Sequence, residues 1–208
     1  MSNPSKLIYV EGIIGAGKST FVNNISSAID CKIITEPVKK WQDSGILERY
    51  YSDMKRWALS FQLRIIHDKT QTLNAIPPNT GDIHIVERSI YSDKCFTNTL
   101  NHFGILDNFD YQLSNDIRDR YESMTTTLPD LIVYLRPSLE TCMGRVKKRN
   151  RTEEKDLTFA YQGVLMDSHD AIFNKPELVT MCGKKVPILI LEDNDITDEL
   201  IQKIKAML

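Results

Sequence analysis

Long apolar runs are missing from the 208-residue sequence: the longest, around Leu7 to Val10 and Leu131 to Leu135, fall far short of the ~20 residues a membrane helix needs. Cysteine is scarce. The four present (Cys31, Cys95, Cys142, Cys182) show no C-x-x-C spacing, which argues against a zinc site or disulfide framework and for ordinary reduced thiols. An excess of one charge is missing too. Twenty-six Lys and Arg against 28 Asp and Glu leave −2, so whole-chain charge gives no reason to expect a nucleic-acid partner or an anionic membrane. Any anion must be bound locally. Between Met1 and Lys6 there is neither a secretory apolar core nor an Arg-rich transit-type stretch, which points to the cytosol and leaves the nucleus open. Repeats, low-complexity tracts and linkers between two cores are likewise absent.

What is present suits one folded unit. A composition 41% hydrophobic and 26% charged excludes a disordered scaffold, and the length fits a single domain over residues 1–208. Short, near-continuous apolar runs at Leu7 to Val10, Ile83 to Val86, Leu131 to Leu135 and Ile188 to Leu191, with Ile33-Ile34 as a fifth, predict strands buried on both faces. Helical periodicity fills the intervals: Ser19 to Ile29, Ile46 to Ile76, Ser89 to Phe103, Tyr111 to Met124, Leu139 to Arg149, Leu157 to Phe173 and Thr197 to Leu208. The alternation predicts an α/β fold, a five-stranded parallel sheet flanked by helices. Lys175-Pro176 and Gly183 read as a loose connection before the last strand.

Directly after the first strand stands Glu11-Gly12-Ile13-Ile14-Gly15-Ala16-Gly17-Lys18-Ser19-Thr20, containing G-x-x-x-x-G-K-S in full. Its glycines let the backbone turn tightly and aim N–H groups inward. The helix that follows presents its positive end, Lys18 reaches the β/γ-phosphates, and Ser19 offers a hydroxyl to Mg²⁺. This predicts ATP or GTP binding and leaves open what is done with it. Three further clusters fall at strand ends, where such sheets place chemistry. They are Glu36-Pro37-Val38 with Trp41, Glu87-Arg88-Ser89 followed by Asp93, and the basic run Arg145, Lys147, Lys148, Arg149, Arg151 ahead of Glu153-Glu154.

In this order, and with Arg56-Trp57 followed by Phe61-Gln62, these motifs resemble the deoxynucleoside kinase family across nearly the whole chain. The resemblance implies a P-loop kinase fold with an arginine-rich lid at about 149–157, and an ATP- and Mg²⁺-dependent transfer of the γ-phosphoryl group to the 5′-hydroxyl of a deoxyribonucleoside. It implies phosphate binding by Gly12, Gly15, Ala16, Gly17, Lys18, Ser19 and Thr20, assisted by Arg145 and Arg149. Glu36 is the implied general base, worth roughly 10²- to 10⁴-fold because an alcohol attacks poorly until its proton is taken. Arg88 would hold Glu36 and the transferring phosphate, Arg149 and Arg151 would neutralise charge on it, and Ser19 and Glu87 would hold the metal. Tyr51 and Glu154 match the family's 3′-hydroxyl ligands. Gln62 offers a donor and an acceptor to one edge of a pyrimidine, and Trp41, Trp57 and Phe61 are candidate walls for the base. The family is typically homodimeric.

The sequence also departs from the family pattern. Ile13 replaces the usual Asn, which backbone phosphate binding tolerates. Lys69 stands where deoxycytidine and deoxyguanosine kinases carry Arg, opposite Asp93, and lysine is a point charge rather than a fork. Ile65, bulkier than the small residue of purine-accepting relatives, favours pyrimidines. Phe96 lies one residue nearer Asp93 than the usual stacking aromatic. The sequence leaves two alternatives: a nucleoside monophosphate kinase of the thymidylate kinase type, disfavoured by the carboxylate of Glu36, and a nucleotide-binding subunit with a dead site, disfavoured by the intact motifs.

Overall fold

The computed structural model describes residues 3–125, 127–151, 154–193 and 195–208. Among these described residues six strands, β1 (Lys6–Glu11), β2 (Lys32–Ile34), β3 (Ile83–Glu87), β4 (Leu131–Leu135), β5 (Glu177–Val179) and β6 (Lys185–Leu191), form a sheet in the order β2-β3-β1-β4-β6-β5. All five expected strands are there and pair in parallel. The sixth, β5, corrects the reading of residues 175–183 as a loose connection: it pairs antiparallel with β6, and Gly183 at φ 84 turns the chain between them. All five residues of β4 are buried, as expected of a central strand covered on both faces.

Helices cover the sheet: α1 (Lys18–Ser26), α2 (Val38–Asp43), α3 (Ile46–Ser52), α4 (Met54–Asn74), α5 (Ile90–His102), α6 (Asn108–Met124), α7 (Leu139–Arg149), α8 (Phe159–Phe173) and α9 (Asp198–Met207). The expected continuous helix over Ile46 to Ile76 is two. At Asp53 the backbone is extended (φ −152), and the Asp53 carboxylate caps the next helix by accepting from the Arg56 N–H at 3.2 Å. Helix α2 is an addition, starting one residue after the Glu36-Pro37 pair.

Two apolar clusters result. One joins the sheet to α1, α8 and α9, while the other gathers Trp41, Leu47, Tyr50, Ala58, Phe61, Ile65, Leu100 and Leu106 beside the carboxyl ends of the strands. The strand order places β1 between β3 and β4, so the loops after β1, β2 and β3 open on one crevice, where open α/β sheets bind ligands.

Candidate active site

The turn after β1 can be made only by glycine at its tight points. Gly12 has φ 147 and a Cβ there would lie 2.6 Å from the Leu135 carbonyl; Gly15 has φ 84 and its Cβ would lie 2.3 Å from the Cys142 carbonyl. Gly17, left-handed at φ 94, opens α1. Lys18 is buried and folds back, Nζ donating to the Gly12 and Ile13 carbonyls at 3.0 Å each. Burial, with the nearby Arg88 cation, lowers its pKa to about 7. The Ser19 hydroxyl donates to Glu87 Oε1 at 2.9 Å, bringing two hard oxygen donors together at the loop.

A cavity of about 730 Å³ opens from this loop. Ile14, Gly15, Lys18, Ser19 and Glu87 line its phosphate end, whereas Gly12, Ala16, Gly17 and Thr20 are not on its wall. Arg145 does not line it either: its Nη1 donates to the Ala16 carbonyl at 2.9 Å, so it braces the loop from α7.

Across the cavity lie Glu36 and Arg88. Arg88 adopts a left-handed backbone (φ 63), unusual for a side chain of its size, and is buried. Its Nε is 3.2 Å from Glu36 Oε2, yet Nε and Nη1 make no hydrogen bond, so the contact is an ion pair with donor capacity left over. Its guanidinium carbon sits 4.9 Å over the Phe96 ring. Lys69 approaches Glu36 Oε1 at 3.8 Å while its Nζ donates to Asp93 Oδ1 at 2.5 Å. Two cations thus flank one carboxylate. Burial raises Asp93 to about 6 against the pull of Lys69.

The apolar end of the cavity is walled by Trp41, Phe61, Ile65 and Phe96, with Gln62 and Asp93 among them. Gln62 is buried with Oε1 unpartnered, and so is Asp93 Oδ2. Such unpaired buried acceptors cost free energy unless a ligand supplies donors. Trp41 packs edge-on to Phe61 at 5.6 Å and its indole N–H donates to Asp68 at 2.9 Å. Tyr51 lines the cavity from α3, 42% exposed.

Some expected members fall elsewhere. Trp57 is not on the cavity wall; half-buried, it packs against the cluster of Trp41 and Phe61 with Arg49 and Arg56 over its ring at 5.0 and 5.4 Å. Lys69 stands behind the wall and reaches the site through Asp93 and Glu36. Glu154 faces the cavity but is engaged by Arg149, whose Nη2 and Nε donate to its two oxygens at 2.5 and 3.3 Å, with Arg151 at 3.7 Å. Glu153 lies outside the described residues. Conversely, Tyr50, Met54, Phe103 and Tyr161 line the cavity without having been singled out. The Phe103 ring, just past the end of α5, stacks on Tyr161 of α8 at 5.8 Å; the two meet only in the fold, and no spacing in the sequence links them.

Oxygen donors at the loop, a half-buried carboxylate flanked by cations and an apolar slot with unpaired acceptors suit phosphoryl transfer to a hydroxyl on a flat, polar-edged ligand. Comparison with known proteins agrees. Residues 8–207 match the family model described as deoxynucleoside kinase. The chain is 32% identical over 197 residues to a fowlpox virus protein named as a probable deoxycytidine kinase, covering 93% of this chain and 82% of that one. It is 32% identical over 200 residues to human mitochondrial thymidine kinase 2, covering 94% and 74%. A solved deoxyadenosine kinase from M. mycoides, bound to the products dCMP and dCDP, superposes with a TM-score of 0.74 at 25% identity, covering 96% of each chain.

Proposed function

The chain belongs to the deoxynucleoside kinase family, and on that footing we propose that it transfers the γ-phosphoryl group of ATP to the 5′-hydroxyl of a deoxyribonucleoside, with pyrimidines preferred. One observation carries the proposal: Glu36, 3.2 Å from Arg88, faces the same cavity as Lys18 and Ser19 of the phosphate loop. A carboxylate in that place accepts a proton from a neutral alcohol and repels an acceptor phosphate, which speaks against the monophosphate kinase alternative.

In this mechanism the loop N–H groups and Lys18 bind the triphosphate, and Lys18 leaves its carbonyl partners for the phosphate oxygens. Glu36 takes the 5′ proton as the oxygen attacks in line. Arg88, with its unused donors, orients Glu36 and meets charge on the transferring group, as do Arg149 and Arg151; residues 152 and 153 of the expected lid at about 149–157 lie outside the described residues. Ser19 and Glu87 would hold Mg²⁺, which neutralises phosphate charge when bound. Among the described residues there is no group of three or more His, Cys, Asp and Glu that could hold a metal alone. Mg²⁺ is commonly held by one or two carboxylates together with substrate phosphates, the donor set that Ser19 and Glu87 would complete.

For the nucleoside, Gln62 and Asp93 offer acceptors to the base edge, Trp41 and Phe96 flank it, and Ile65 limits its size. Tyr51 and Glu154 take the 3′-hydroxyl, Glu154 by exchanging part of its contact with Arg149. A homodimer is carried over from the family resemblance. No helix among the described residues is long and apolar enough to cross a membrane. The test supplies purified protein with thymidine, deoxycytidine and their 5′-monophosphates under labelled ATP. Label should enter the nucleosides; label entering only the monophosphates would overturn the proposal.

A further inference from the structure

Glu11, the last residue of β1, is fully buried and does not line the cavity. Its Oε1 accepts from the Ser89 backbone N–H at 2.8 Å and from the Ser89 hydroxyl, while Oε2 has no partner. Ser89 is gripped at its other atoms as well. Its Oγ accepts from the Tyr91 N–H at 3.1 Å, capping α5, and its carbonyl accepts from Lys69 Nζ at 3.2 Å and Ser92 Oγ at 2.7 Å. Immediately before it stands Arg88 at φ 63, whose N–H donates to the Val10 carbonyl at 3.0 Å. The end of β1 therefore holds Arg88 from both sides, through Val10 ahead of the strained residue and Glu11 behind it.

A left-handed backbone costs a side-chain-bearing residue free energy and persists only where its surroundings over-determine it. Relaxing Arg88 to negative φ would swing its guanidinium away from Glu36. We infer that Glu11 is a positioning residue for phosphoryl transfer: by fixing Ser89 it holds Arg88 in the left-handed conformation that aims its guanidinium at Glu36. The inference rests on the role proposed above for Arg88. What it adds is that the buried carboxyl acts through Ser89 as a hydrogen-bond acceptor at a set reach, touching neither substrate nor nucleotide. Burial raises this carboxyl to about 7, and both its protonated and ionised forms keep Oε1 as acceptor.

The experiment measures kcat and KM for nucleoside and ATP in Glu11→Gln, Glu11→Asp and Ser89→Ala, each alone and with Arg88→Ala, alongside thermal midpoints. Glu11→Gln keeps the acceptor at full reach and should stay within about 3-fold of the native kcat. Glu11→Asp is a methylene too short and should lose about 10- to 100-fold in kcat, the scale of an ångström-level misplacement, with KM for ATP within about 3-fold. Combined with Arg88→Ala, it should cost under about 3-fold more, because both act through one guanidinium. Ser89→Ala removes the hydroxyl bond to Glu11 together with the α5 cap on the Tyr91 N–H, keeps the backbone N–H bond to Glu11, and should show a smaller kcat loss with the same non-additivity, which keeps the test intact if Glu11→Asp fails to fold. Native kcat in the shortened variant, or losses that multiply fully with Arg88→Ala, would overturn the inference. Unchanged turnover in Arg88→Ala itself would instead overturn the role of Arg88.

Discussion

At the scale of single residues, Lys18 shows how much of the chemistry is set before any ligand arrives. Burial and Arg88 lower its pKa to about 7, and it rests on two carbonyls. At pH 8 most of the population is therefore neutral, and a triphosphate laid against it favours the ammonium. ATP binding at pH 8 should take up protons, and take up fewer at pH 6. Calorimetry in buffers of different ionisation enthalpy measures this, and Lys18→Arg, permanently charged, should show no such uptake. Lys18, Glu36 and Arg88 were legible in the sequence because each sits in a motif at a strand end. Trp57 was misplaced because aromatic spacing on a helix does not say which face meets a cavity, and of its two arginine partners Arg49 reaches it only when α3 and α4 fold together. Arg145 was one helical turn from Arg149 and looked equivalent, but the first turns to the Ala16 carbonyl and the second to Glu154.

Among elements, the carboxylate of Asp68 ties α2 to α4. It accepts from Lys40 at 2.8 Å, from the Trp41 indole at 2.9 Å and from Arg64 at 2.8 Å, and although burial pushes its pKa up, these bonds hold it below the usual value. Since α2 starts beside Glu36 and α4 carries Gln62 and Ile65, this junction sets the width of the base slot. Asp68→Ala should raise KM for the nucleoside by about 10-fold, leave KM for ATP within about 2-fold, and cost about 1–3 kcal/mol of stability by orphaning a buried donor. Steady-state kinetics and denaturant titration check both; a larger change in KM for ATP than for the nucleoside would refute the junction's role. Within the phosphate loop, Gly15→Ala puts a methyl 2.3 Å from the Cys142 carbonyl and should abolish tight ATP binding in equilibrium titrations. The five parallel strands were readable as buried apolar runs. Strand β5 was not, because Glu177–Val179 is three residues long, follows a proline and owes its existence to pairing with β6. Helix α2 was too short for its periodicity to register.

Over the whole molecule, topology assembles the site. Glu36 follows β2, the phosphate loop follows β1 and Arg88 follows β3, and parallel pairing brings the three ends to one crevice. That convergence was foreseeable from motif order, since carboxyl ends of parallel strands share a side. The far wall, built by Tyr50, Met54, Phe103 and Tyr161, was not, because those residues meet only through tertiary packing. The proposed homodimer predicts a sedimentation mass twice the 23.9 kDa of the chain; a monomer at micromolar concentration would contradict it. The central claim is that Glu36 removes the proton from a sugar alcohol, and turnover of Glu36→Gln, with ATP affinity measured on the same sample, tests it most directly. Turnover should fall by roughly 10²- to 10⁴-fold with ATP affinity nearly unchanged, whereas native turnover in that variant would contradict the account.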